Sequence, residues 1–244
     1  MPESVSGSID RFIRVFEGVI SVVTEEIPDS RVSGVHRKVL LAAMLDAMSF
    51  PLFRRSRNRD RFISFVLTYA GWESAERVSL PHLAQLSRLA GHSMSASLRS
   101  FAISRMSGWI PGERIPVARD PSFDEVVSHW PVENGTPIRL MGVAPESLRH
   151  VNLLYAYRNA LVHEFRQLGH DLEMWDTDDA YYTHLTRYSD LDEPGEQSWQ
   201  LQYPVRFLVG LCRTALANLE TQLRTQETNP FDQYDWSSYW LPPL

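Results

Sequence analysis

One short stretch carries side chains whose types and spacing could do chemistry. Residues 151–168 read VNLLYAYRNALVHEFRQL and hold Arg158, Asn159, His163 and Arg166. An imidazole can take up or release a proton near neutral pH. Guanidiniums hold anionic oxygens through paired N–H donors, and an amide orients either kind of group. Leu154, Tyr157, Leu161, Phe165 and Leu168 recur at helical spacing and predict a half-buried helix that Pro145 opens, spanning 145–168. At 100° per residue, Asn159, His163 and Arg166 fall within roughly 60° of one another, with Arg158 on the shoulder toward the apolar face. Glu164 points elsewhere on that wheel.

Other elements must position this helix. Ser8 is a candidate cap for a first helix over 8–26, whose face is Ile9, Phe12, Ile13, Phe16, Val19, Ile20 and Val23. A second is expected over 35–49, and a third through Phe62, Phe65, Val66 and Tyr69 to near Gly71. Ser79-Leu80-Pro81 starts a helix running to Gly91, and another covers 94–106. Three prolines make 109–121 irregular, Ser122 to Glu125 forms a capping box, and a loop passes Pro131, Gly135 and Pro137. Nine acids crowd 171–196, where alternating aromatic and β-branched positions predict a small β-hairpin near 179–203. Pro204 opens a last helix with Val205, Leu208, Leu211, Cys212, Leu216, Leu219 and Leu223 on its core face. No repeat or linker is visible. The expectation is one all-α domain over 1–244, with an acidic hairpin insertion at 171–203 and an aromatic tail at 229–244.

Composition narrows the function classes. The chain has 244 residues, 43% hydrophobic, and no apolar run near the roughly 18 residues needed to span a bilayer. The N-terminus has no basic segment followed by an apolar one, and Cys212 is the only cysteine, so we expect a cytoplasmic protein without disulfides or membrane association. Net charge is −6, yet every base but Lys38 is an arginine. Five of these, Arg54, Arg55, Arg57, Arg59 and Arg61, cluster in RRSRNRDR, either as a solvated turn or as a phosphate-tracking patch. No glycine-rich loop precedes Lys38, and no dinucleotide or serine-hydrolase motif occurs. His163-Glu164 begins like a zinc-peptidase motif, but Gln167 stands where the second histidine would be. Asp176, Asp178 and Asp179 read as a solvated acidic loop rather than a cation site. No metal and no cofactor are expected.

Arg-x-x-x-x-His occurs three times: Arg31 to His36 across a Ser-Gly loop, Arg77 to His82 across Pro81, and Arg158 to His163. Only the third combines an asparagine with a long apolar helix. Tyr157 to Phe165, YRNALVHEF, resembles the signature of the HEPN superfamily (higher eukaryotes and prokaryotes nucleotide-binding): Arg, a polar residue that is often Asn, then His, late in a helical bundle. Arg158, Asn159 and His163 match those three positions. The resemblance covers about ten residues and the arrangement of helices.

It implies a HEPN-like bundle and a metal-independent endoribonuclease, of the kind found among toxins and anti-phage effectors, with RNA as substrate. The alternative is a non-catalytic module that binds nucleic acid or a nucleotide, or dimerises. In the catalytic reading Arg158 clamps the phosphate, His163 handles a proton, and Asn159 orients the imidazole or holds an oxygen. Arg166 and the cluster at 54–61 would hold nucleic acid. A position two residues after the motif histidine is a tyrosine in one branch of the family, where it is modified; here it is Phe165. An antitoxin or regulatory partner is compatible with such a protein. Five residues apart, Arg158 and His163 leave a helix roughly 140° from one another. A homodimer with the helix at its two-fold axis would supply the second Arg and His.

Overall fold

The computed structural model describes residues 4–28, 30–53, 56–167, 176–187 and 196–233. In chain order these form α1 (Val5–Ser21), α2 (Arg31–Met48), α3 (Phe50–Phe53), α4 (Asn58–Tyr69), α5 (Leu80–Leu89), α6 (His92–Met106), β1 (Ile115–Pro116), α7 (Phe123–Val127), β2 (Val132–Glu133), β3 (Thr136–Pro137), α8 (His150–Glu164), β4 (Tyr181–Arg187), β5 (Glu196–Gln202) and α9 (Val205–Thr225). A π-type segment, Val22–Glu26, continues α1. The fold is mostly helical with a small antiparallel sheet. Among the described residues no helix is long and apolar enough to cross a membrane.

Cap chemistry fixes several helix starts. Ser4 rather than Ser8 caps α1, accepting from the Gly7 N–H, and Ser8 lies inside the helix, buried. Helix α2 begins at Arg31, four residues before the expected start, because Ser30 and Ser33 cap each other reciprocally. That places Arg31 and His36 on one continuous helix after all. At α7 the predicted capping box is present: Ser122 Oγ accepts from Glu125 N–H, and Glu125 accepts from Ser122 N–H.

The chain folds into two compact units, each assembled from separate segments. Unit 1 comprises Met1–Trp72, Arg158–Arg166 and Leu208–Leu244; unit 2 comprises Glu73–Tyr157 and Gln167–Phe207. The chain passes from one unit to the other after Trp72, Tyr157, Arg166 and Phe207. Unit 1 is helical. Its core takes Ile9, Phe12 and Phe16 from α1, Leu41, Leu45 and Met48 from α2, Phe62 and Phe65 from α4, Leu161 from α8, and Leu211, Leu219 and Leu223 from α9. Each such side chain contributes about 1.5–3 kcal/mol when fully buried. Lys38, the sole lysine, is buried here too, as is Cys212, whose thiol is pushed well up by that burial.

Unit 2 contains both sheets. Strands β4 and β5 form the predicted hairpin, in register from Tyr181↔Gln202 to Arg187↔Glu196. Strand β1 adds to the far side of β4, pairing Ile115 with Tyr182. Its two residues lie in the proline-rich stretch expected to be irregular. A second, unexpected hairpin joins β2 and β3 through Asn134 and Gly135, whose φ angles of +50° and +76° suit a tight Asn-Gly turn. Strands of two residues carry too little alternation to be read from sequence.

The predicted helix 145–168 is shorter and interrupted. Pro145–Leu148 is a 3-10 turn, Arg149 is extended, and the N–H groups of His150 and Val151 bond the carbonyls of Arg77 and Ala75. At the other end α8 stops at Glu164. Phe165 takes a left-handed conformation, φ +52°, and Arg166 N–H returns to the Ala160 carbonyl. Phe165 is therefore exposed beside His36 rather than part of the core stripe. Leu168 lies outside the described residues.

Candidate active site

Arg158, Asn159 and His163 come together on the last turns of α8, within unit 1. The apolar stripe of this helix, Val151, Leu154, Tyr157 and Leu161, is buried and sets its rotation, which leaves Asn159 half-buried and His163 exposed. Arg158 Nη1 donates to Asn159 Oδ1 at 2.9 Å and lies 3.2 Å from His163 Nε2. A guanidinium has only donors, so a hydrogen bond in this contact requires Nε2 to accept. The expected 140° divergence does not keep the two apart. The long arginine side chain lies back along the helix surface and reaches the imidazole, so one chain brings this Arg and His together.

Arg158 is held in that pose from α2. Its Nη2 donates to Asp46 Oδ2 at 2.5 Å, and its side chain is 11% exposed. The other carboxylate oxygen, Oδ1, accepts from Arg61 Nη2 at 3.2 Å. Arg61 is fixed in turn by Ser49 Oγ at 2.9 Å, by Asn58 Oδ1 at 3.3 Å, and by the Phe50 ring, 4.1 Å from its guanidinium carbon. Two guanidiniums thus share one carboxylate, a partly buried triad with an excess of one positive charge. Both Asp46 oxygens are spent on these bonds, which makes the carboxylate a tether for Arg158 rather than a ligand for a cation.

Asp46 has no place in the sequence reading, yet it decides where Arg158 points. Its signal is a lone acid in the otherwise apolar run VLLAAMLDAMSF. Arg61 belongs with this triad and not with a surface cluster, since it is 4% exposed. Arg57 and Arg59 are exposed near the start of α4, and Arg54 and Arg55 lie outside the described residues. Arg166 is not beside His163 on the helix. Beyond the Phe165 turn it pairs with Glu164 through Nε at 3.0 Å and Nη2 at 2.6 Å. Among the described residues, no three His, Cys, Asp or Glu side chains are placed to hold a metal ion.

Unit 2 contains a second polar cluster that sequence reading missed. Asp120 Oδ2 lies 2.6 Å from His150 Nε2 and accepts from the Tyr182 hydroxyl at 2.5 Å; Oδ1 accepts from the Leu80 N–H at 3.2 Å. Asp120, His150 and Tyr182 are fully or almost fully buried. Burial, then the Asp120 charge, pushes the Tyr182 hydroxyl well above its ordinary range, so it stays a donor. No reactive atom of this trio faces solvent. Its members sit before a proline, at a helix start and on a strand, so no common spacing links them.

Comparison with known proteins finds no matching family model, no matching curated protein and no matching solved structure.

Proposed function

We propose that this protein is a HEPN-like, metal-independent endoribonuclease, in which Arg158, Asn159 and His163 act on an RNA phosphate. The observation that carries the reading is the contact of the Arg158 guanidinium with the exposed His163 imidazole. In the reaction His163 Nε2 takes the proton of the 2′-hydroxyl as its oxygen attacks the adjacent phosphorus. Arg158 Nη1 exchanges Asn159 and His163 for a non-bridging oxygen and stabilises the charge that builds there. Nη2 stays on Asp46, which makes Asp46 a positioning residue. The P–O5′ bond breaks, the 5′-oxygen takes a proton from solvent water, a 2′,3′-cyclic phosphate remains, and His163 returns its own proton to the hydroxide left behind. The cytoplasm is the natural compartment for such an activity. Toxin or anti-phage effector is the role that fits it best, with an antitoxin or other regulatory partner to hold it in check.

A second reading has its own observation. Arg158 is mostly buried and already paired with Asp46, as expected of a structural tie in a non-catalytic binding or dimerisation module. The two readings part on turnover. Purified protein incubated with mixed RNAs in excess EDTA is expected to yield cyclic or 3′-phosphate ends, and to spare substrates that lack the 2′-hydroxyl. Stoichiometric RNA binding without new ends, or activity that returns only with magnesium, would contradict the proposed reaction.

A further inference from the structure

Unit 2 has an open-sided cavity of about 430 Å³, none of whose lining residues belongs to the Arg158, Asn159 and His163 site. Its walls combine aromatic surface (Tyr157, Trp199 and Tyr203) with two arginines, Arg88 from α5 and Arg99 from α6. His82, also on the wall, is the surface end of the buried Asp120 cluster. Its Nδ1 lies 2.7 Å from Ser79 Oγ, and Ser79 Oγ lies 2.8 Å from the Tyr182 hydroxyl oxygen.

Proton counting along this chain decides what His82 offers. Tyr182 has one hydroxyl proton and two neighbours within reach, and the charged Asp120 carboxylate is the stronger acceptor. Ser79 must then give its own proton to the Tyr182 oxygen, which leaves Ser79 Oγ to accept from His82 Nδ1–H. The remaining ring nitrogen, Nε2, therefore carries a lone pair and belongs to the side of the ring away from Ser79. Burial lowers the His82 pKa to about 4, with the nearby His150 adding to the effect, so the ring is neutral at neutral pH. Asp120, Tyr182 and Ser79 together hold one tautomer in place.

We propose that this cavity binds a small anion built on a flat ring with an N–H or O–H at its edge. The ring lies against Trp199, Tyr157 and Tyr203, the negative group meets Arg88 and Arg99, and the edge group donates to His82 Nε2. Flat rings suit aromatic walls, guanidiniums suit carboxylate or phosphate, and the volume lies in the range of small-molecule pockets. Two sources share this chemistry, a purine nucleotide and a hydroxylated aromatic acid.

Calorimetric titration of the full chain separates them, with guanosine 5′-monophosphate and 4-hydroxybenzoate as the two arms and inorganic phosphate as the ringless control. At least one flat anion is expected to bind where phosphate does not, and the arm that binds names the source. Arg88→Gln with Arg99→Gln removes both guanidiniums and should weaken binding at least about tenfold, the factor expected from even one charge-assisted contact. Blocking the edge donors, with guanosine monophosphate methylated at N1 and doubly at N2, or with 4-methoxybenzoate, should cost a similar factor. His163→Ala should bind unchanged, so the result stands apart from the proposed ribonuclease. The inference is overturned if neither flat anion binds better than phosphate. It is equally overturned if the arginine pair and the blocked donor both leave affinity unaltered in protein with native circular dichroism.

Discussion

At Asp46 both carboxylate oxygens are held by guanidiniums, and the imidazole beyond them, His163, is exposed. At Asp120 the oxygens are held by an imidazole, a phenol and a backbone N–H, and that imidazole, His150, has no exposed side-chain surface. Each cluster contains an aspartate and a histidine within a few contacts, and an acid–histidine motif alone would rank the second higher, since its contact is shorter and direct. Access and charge reverse that order. A proton-transfer group must reach substrate, and phosphate needs a cation beside it. The Asp46 cluster has both, while the Asp120 cluster knits α5, α8 and β4 within unit 2 and presents only the edge of His82.

Asp120 is the position where a substitution should cost the most. Asp120→Ala strips the partner from His150, Tyr182 and the Leu80 N–H at once, and should cost about 3–5 kcal/mol in denaturant unfolding. A cost below about 1 kcal/mol would mean that the cluster is not a scaffold. Asp46→Ala should cost less stability, about 1–3 kcal/mol, because the triad is partly solvated and Arg61 keeps Ser49 and Asn58. Its RNA cleavage should nevertheless fall at least about tenfold, from a loosened Arg158. Unchanged cleavage would remove Asp46 as a positioning residue.

Acid should separate the regions further. The folded pKa of His82 lies at about 4, below the ordinary value of 6.5, so the unfolded chain binds the extra proton between these values. Stability from the neutral, half-buried ring is therefore full above about pH 6.5 and is lost as pH falls toward 4. Thermal melts across that range should show the loss, and His82→Gln should flatten it. The smallest effect is expected at the exposed arginines. Arg57→Glu with Arg59→Glu should leave the fold intact, weaken RNA binding and reduce its salt dependence by about two phosphate contacts. An unchanged salt slope would make this stretch a solvated turn.

Much of the helical frame was legible because caps and periodicity act locally. Ser122 with Glu125 and the stripe of α9 needed no long-range information. The hairpin of β4 and β5 was likewise visible, through the alternating aromatics of AYYTHLTRY. The early stop of α8 was not, since Phe165 continues the apolar period and only its left-handed backbone ends the helix. Arg158, Asn159 and His163 stood out because they lie on one helix. Asp46 and Arg61 did not, because Asp46 reaches Arg158 across 112 positions of sequence and no spacing rule spans such a gap. The helical wheel also misjudged Arg158: it tracks Cβ directions, whereas a guanidinium reaches several ångströms beyond them.

The most direct measurement is the cleavage rate of a defined RNA by wild type and His163→Ala, with RNA affinity measured on the same preparations. The variant is expected to fold normally and to bind RNA within about threefold of wild type, because phosphate affinity comes mainly from the arginines. Its cleavage should fall by about 10²–10⁴, the range expected for loss of a general acid–base group. A His163→Ala protein that cleaves at the wild-type rate would contradict the account at its centre.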